Sequence, residues 1–294
     1  MSSARHPVAD PTWRTVAALL EQHRLETPDK PAIVDVDGQV SMSFEQLAQA
    51  VDSIARQLAQ RGVTKGTRVV LADCEAPDKL LLWLGAWRLG AIVCPLDVLF
   101  IGHETARKLL DTIQPDLVVF PDDAANTAVA GAQVRVVRFA SWTLPDRVRA
   151  NPGDDAITLA PQPDDTEHLD TTPLPDAATV SDANDIASMC CTSGTTGIPK
   201  IVVYDHACYW LNGLDSIDLL GLSRDDRMLE YRSFDWYSAQ ILSFIPFLQL
   251  GSTLCVERRF EQHIQHRRHA RAHRDLLLAN PVAETAAREA PRDA

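Results

Sequence analysis

The sequence predicts an α/β fold of layered, mostly parallel sheets with flanking helices. Three observations carry that reading. Short β-branched or apolar runs alternate with amphipathic stretches from residue 31 to residue 120, and such alternation builds parallel strands covered by crossover helices. The composition, 46% hydrophobic and 23% charged over 294 residues, is that of a folded globular chain with material for about two domains. A Gly/Thr-rich turn between two apolar runs near residue 195 marks a strand pair of a different kind.

The elements follow in order. Residues 11–26 repeat apolar side chains at helical spacing (Trp13, Val16, Ala17, Leu20), and Thr27-Pro28-Asp29-Lys30-Pro31 ends that helix. Ala32 to Val36 reads as a strand and Asp37-Gly38 as a hairpin turn. Ser43 with Gln46 three residues later is a capping box, and Leu47, Val51, Ile54, Ala55 and Leu58 then share one helix face until Gly62. Thr67 to Ala72 is a strand. Pro77 opens a helix carrying Leu80, Leu81, Leu84 and Trp87, which Gly90 closes before the strand Ala91 to Leu96. A helix around Glu104 to Ile113 and strands at Leu117–Phe120 and Val134–Val137 continue the pattern. Further on, the reading gives strands at Ile186–Cys191 and Lys200–Tyr204, helices near 205–220 and 237–248, and strands near 228–231 and 252–256.

Composition divides the chain further. Residues 121–185 hold 12 acidic residues, four arginines and seven prolines with little periodicity, the character of a solvated connection. The expected organisation is a first α/β subdomain over 1–144, an acidic Pro-rich connection over 145–185 and the start of a second α/β subdomain over 186–260. Residues 261–294 form an Arg/His/Ala-rich tail.

Charge excludes some functions. With 28 Lys plus Arg against 40 Asp plus Glu, the net charge of −12 argues against general affinity for nucleic acid or anionic membranes. The longest apolar runs fall short of the ~20 residues a transmembrane helix needs, and no secretory signal pattern opens the chain, so a cytoplasmic protein is expected. The six cysteines include no Cys-x-x-Cys pair and read as small core residues. His263, His266, His269 and His273 stand among four arginines that would repel a dication, so no metal site is expected.

The chemistry-bearing segment is Cys191-Thr192-Ser193-Gly194-Thr195-Thr196-Gly197-Ile198-Pro199-Lys200. Its glycines permit a tight turn with unshielded N–H groups, its hydroxyls add donors, and Lys200, one of only five lysines in the chain, adds a positive charge. Those are the parts of a polyphosphate cradle. It is not a Walker loop, because Pro199 precedes the lysine and a strand follows it.

This order resembles the phosphate-binding signature of the adenylate-forming (AMP-binding) enzymes: acyl- and aryl-CoA synthetases, luciferases and peptide-synthetase adenylation domains. Leu81 to Leu96, Phe44-Glu45-Gln46-Leu47, Lys65-Gly66-Thr67-Arg68-Val69 and Gly251-Ser252-Thr253-Leu254 are similar to other elements of that family, and the resemblance covers residues 11–260. It implies the fold of the family's N-terminal domain and an ATP-dependent ligase that activates a carboxylic acid as its acyl-adenylate. It implies further that Thr192, Ser193, Gly194, Thr195, Thr196, Gly197 and Lys200 hold the β- and γ-phosphates of ATP with Mg2+, and that Lys200 stabilises charge on the transferring phosphate. CoA would be the co-substrate. Phe234 and Trp236, in the segment Tyr231 to Tyr237, correspond to the family's gate at the acyl pocket.

Two departures stand out. Ile201 replaces the family's usual glycine after the lysine. After Phe260 the family's adenine-binding turn, ribose-binding aspartate, hinge and catalytic lysine are not found. The expectation is a truncated form with little or no activity alone, complemented by a separate C-terminal chain. The alternative is a non-catalytic remnant or interaction module retaining at most ATP-phosphate binding.

Overall fold

The computed structural model describes residues 12–36, 40–98, 102–121, 135–140, 157–159, 172–192 and 199–257. The first half runs α1 (Val16–Glu26), β1 (Pro31–Asp35), β2 (Val40–Ser43), α2 (Phe44–Gln60), β3 (Arg68–Ala72), α3 (Ala76–Trp87), β4 (Ile92–Leu96), α4 (His103–Ile113) and β5 (Leu117–Pro121). It continues with β6 (Arg135–Ala140), β7 (Ile157–Thr158), β8 (Ile186–Cys191), β9 (Ile201–Asp205), α5 (His206–Leu220), β10 (Arg227–Glu230), α6 (Tyr237–Ala239), a π-helical stretch (Gln240–Phe244), α7 (Ile245–Leu250) and β11 (Thr253–Val256). Strands join in the orders β10-β11-β1-β2 and β7-β6-β5-β3-β4-β8-β9. Every pairing is parallel except β1 with β2 and β8 with β9.

Strand alternation sorts the core of the larger sheet. Val69 and Leu71 of β3 and Leu117 and Val119 of β5 face one cluster with α2 and α3, while Val70, Ala72, Val118 and Phe120 face a second cluster with Ala106, Leu109, Leu110 and Ile113 of α4. The sheet is therefore covered on both faces by helices that follow adjacent strands β3 and β4. Where neighbouring connections leave for opposite faces, a crevice opens at the carboxyl ends of the strands, the usual ligand position of open parallel sheets.

Local chemistry explains the helix boundaries. The Ser43–Gln46 capping box is formed in both directions, and Leu47, Val51, Ile54, Ala55 and Leu58 are all buried. Glu75 precedes α3, whose Pro77 lies in the first turn where no N–H is needed. All twelve residues of α3 are buried, so this apolar helix sits inside the protein rather than on it. Thr15 caps α1, so Trp13 stands just ahead of the helix expected from residue 11. The small-residue turn at Gly251 has a physical cause: its φ is +65° and an added Cβ would meet His23 Nδ1 at 2.5 Å.

Both sheets draw strands from each side of the acidic connection, since β1 pairs with β11 and β4 with β8. The division at residues 144 and 186 is thus one of composition and not of sheets. Within the connection, β7 extends the larger sheet and Val180 is buried. Cys74, Cys94, Cys190 and Cys255 are buried, Cys191 and Cys208 half-buried, and all six are free thiols. Among the described residues no helix is long and apolar enough to cross a membrane. The Asp37-Gly38 turn and the histidines of the 261–294 tail lie outside the described residues.

Candidate active site

The β8–β9 hairpin places the ends of the Gly/Thr-rich loop. Its antiparallel register runs from Ile186 opposite Asp205 to Cys191 opposite Ile201. One step further, the Thr192 N–H donates to the Lys200 carbonyl at 2.9 Å and the Lys200 N–H donates to Thr192 Oγ1 at 2.9 Å. Thr192 thereby closes the hairpin with backbone and side chain together, which ties the two ends of the loop beside each other. Ile201, where the family usually has glycine, is an ordinary strand residue of this pairing. Lys200 and Thr192 are both exposed. Ser193, Gly194, Thr195, Thr196 and Gly197 lie outside the described residues.

The closed end of the hairpin stands at the carboxyl edge of the larger sheet, because β8 is parallel to β4 and β4 to β3. At that edge the chain leaves β3 through Asp73, a non-glycine residue at φ +51°, whose N–H donates to the Leu96 carbonyl at 3.1 Å. Such a conformation costs about 1 kcal/mol or more and is held by surrounding structure.

Helix α3 connects this edge to the rest through one face. Lys79, Trp83 and Trp87 follow at four-residue intervals and therefore line up. Trp87 Nε1 donates to the Ala187 carbonyl of β8 at 2.9 Å, and the Trp83 ring meets Phe244 edge-on at 5.9 Å between centroids. Lys79, 2% exposed at its side chain, makes a 2.5 Å ion pair with Asp235, 17% exposed. Burial pulls the Lys79 ammonium down, but the charges of Asp235 and Asp97 and the hydrogen bond to Asp235 more than offset it, so its pKa is raised. The Ser233 hydroxyl also donates to Asp235 Oδ2.

The 231–236 turn is fixed at its base as well. Arg232 donates to Glu230 through Nε at 2.8 Å and Nη2 at 2.5 Å, and Ser243 Oγ donates to Glu230 at 2.7 Å. Of the two aromatic residues expected at an acyl gate, Phe234 is fully buried against Phe244, whereas Trp236 is half-exposed. The polar residues of this turn, and Lys79 opposite them, were missed in the sequence. The available signal was a lysine, beside Asp78, set in a mostly apolar helix of a chain with only five lysines.

His206 is the first residue of α5 and is buried against Trp87 at 5.3 Å between rings. Burial pushes its pKa down to about 4 despite the nearby Asp185 and Asp205. Asp205, not His206, is the cap of that helix.

Fold and hairpin together define an α/β protein in which Thr192 and Lys200, the two ends of a glycine- and hydroxyl-rich segment, close a hairpin at the carboxyl edge of a mostly parallel sheet. The model of the AMP-binding enzyme family matches residues 20–274, and the chain belongs to that family. It is 30% identical over 257 residues to the hybrid PKS-NRPS synthetase gkaA of Penicillium citrinum, covering 85% of this chain and 6% of that protein. It is 27% identical to the 3-hydroxybenzoate–CoA ligase of Aromatoleum sp. (strain CIB), covering 78% of this chain and 41% of the ligase. The fold matches O-succinylbenzoate coenzyme A synthetase from Bacillus subtilis, solved in complex with AMP, with TM-score 0.65 at 19% identity over 85% of this chain and 59% of that one. The chain thus spans less than half the length of both curated relatives.

Proposed function

We propose that this chain carries the ATP-phosphate site of an adenylate-forming ligase of acyl- or aryl-CoA synthetase type. The observation that carries the reading is the closure of the β8–β9 hairpin by Thr192 and Lys200. The pinned ends hold Thr192 and Lys200 side by side, and the exposed lysine adds the charge a polyphosphate needs. Lys200 and the Thr192 hydroxyl are the described donors. Ser193, Gly194, Thr195, Thr196 and Gly197 complete the proposed cradle.

The chemistry such a site supports is phosphoryl-centred displacement. A substrate carboxylate attacks the α-phosphorus, the bond to the bridging oxygen breaks, and pyrophosphate leaves with its charge held by the loop. Mg2+ would enter with the nucleotide, coordinated mainly by phosphate oxygens. The acyl-adenylate would then pass to a thiol, CoA in the ligase reading, with displacement of AMP. The named relatives include both a hybrid PKS-NRPS synthetase and a CoA ligase, and CoA is the acceptor in the ligase reading. Residues elsewhere, on this chain or on a complementing C-terminal chain, would supply the adenine and ribose contacts.

The experiment is calorimetric titration of the folded chain with MgATP beside the Lys200→Ala variant. The expected result is binding between micromolar and millimolar ATP that weakens at least tenfold in the variant, as loss of one charge-assisted contact of about 1.5–3 kcal/mol implies. A folded chain that gives no heat with MgATP refutes the proposal and leaves a family fold without the binding step.

A further inference from the structure

A chain of buried polar groups runs from the phosphate-loop hairpin to the 231–236 turn. Ser188 Oγ on β8 lies 2.5 Å from the Tyr209 hydroxyl of α5. That hydroxyl donates to Gln240 Oε1 at 2.5 Å, and Gln240 Nε2 donates to the Phe234 carbonyl at 2.6 Å. Ser188 and Gln240 are fully buried and Tyr209 nearly so. The first member is four residues before Thr192 and the last acceptor is the residue before Asp235.

Packing alone does not call for these groups. A buried hydroxyl and a buried amide cost stability unless every link is made, and apolar residues of like shape would fill the same space without that cost. Gln240 also opens the π-helical stretch, where the Ile245 N–H reaches back five residues to the Gln240 carbonyl. Such widened turns occur often at functional sites because they re-aim a side chain out of helical register. Gln240, at the start of that stretch, is the residue that holds the turn through the Phe234 carbonyl.

We propose that Tyr209 and Gln240 are positioning residues that couple the hairpin bearing the phosphate-binding loop to the Phe234–Asp235 turn. Their catalytic meaning rests on the reading of that loop as the ATP site: they would set the distance and angle between bound phosphates and whatever the turn contacts. The mechanical coupling stands apart from that reading and is tested apart from it.

The test is amide hydrogen exchange of the full chain, comparing wild type, Tyr209→Phe and Gln240→Met. Tyr209→Phe keeps the ring packed against Trp87 and Tyr237 and removes only the hydroxyl. Coupling predicts that it raises exchange about three- to tenfold in both 186–192 and 231–237, although Tyr209 belongs to neither, and leaves α4 in the second core cluster unchanged. Gln240→Met should reproduce that pattern. Ser188→Ala is the smaller perturbation should either variant fail to fold, and the same distant rise in 231–237 is expected from it. Exchange that rises only beside the altered residue, or rises equally in α4, overturns the proposal. MgATP titration of the same proteins is the separate arm. Wild type that binds while Tyr209→Phe binds three- to tenfold more weakly at unchanged stoichiometry supports positioning of the nucleotide site, and unchanged affinity overturns that role. Wild type that does not bind refutes the ATP reading, while the exchange pattern still decides the coupling.

Discussion

Removal of Asp235 should be among the most costly single changes outside the apolar core. In Asp235→Ala the Lys79 ammonium, 2% exposed, loses the carboxylate 2.5 Å away and has no ready path to water. Stranding one member of a buried pair costs about 3–5 kcal/mol. Lys79→Met is the milder change, because Asp235 is 17% exposed, retains the Ser233 hydroxyl and can rehydrate, and we expect about 1–3 kcal/mol. The double variant Lys79→Met/Asp235→Ala should recover much of the loss, falling below the sum of the singles by about 2 kcal/mol. Urea denaturation followed by far-UV circular dichroism at pH 7 measures all three. At an m-value of about 2–3 kcal/mol/M, the Asp235→Ala midpoint should fall by about 1–2 M. Equal single costs that add in the double would refute the argument, since they would mean the two groups act independently. Its alkaline limb follows from the raised Lys79 pKa: the contribution is full below the ordinary lysine value of 10.5 and is lost as pH climbs through the higher folded value.

Three further outcomes are expected. His206, held near a pKa of about 4 against an ordinary 6.5, contributes stability above pH 6.5 that disappears as pH falls from 6.5 towards 4, a loss of about 3 kcal/mol. A His206→Gln variant should flatten the stability profile over that window, and an unchanged acid slope would count against a neutral buried imidazole. Gly251→Ala combines a left-handed backbone with a 2.5 Å approach to His23, so a loss of about 2–3 kcal/mol in thermal or urea unfolding is expected, whereas a neutral result would show that α1 can shift away. Ser43→Ala removes one half of the capping box at the start of α2 and should cost about 1 kcal/mol, read as a drop in melting temperature with no change in the MgATP titration.

The fold was legible where the physics is local. The Ser43–Gln46 box, the Pro77 start of α3 and the apolar face of α2 depend on residues within a few positions of one another, and α2 and α3 each begin within a residue of their expectation. Sheet membership depends on residues far apart in sequence, so nothing near Pro31 could announce that β1 would lie beside β11. The candidate site divides in the same way. Thr192 and Lys200 are eight positions apart, and the segment between them read as a turn joining two strands, while the closure of its ends by Thr192 came only with the structure. Asp235 and Lys79 are 156 positions apart, and nothing near either residue names the other as its partner. Only the tertiary fold turns Lys79 inward, on the face of α3 that also sends Trp83 to Phe244 and Trp87 to Ala187. The same holds for Gln240. Periodicity marked a helix over 237–248 and could not show that it widens at Gln240, because a π-turn inserts one residue without changing the composition that a helical pattern reads. The parts of this site that a sequence conceals are thus the parts that join one segment to another, and those joints are where the exchange and double-variant measurements act.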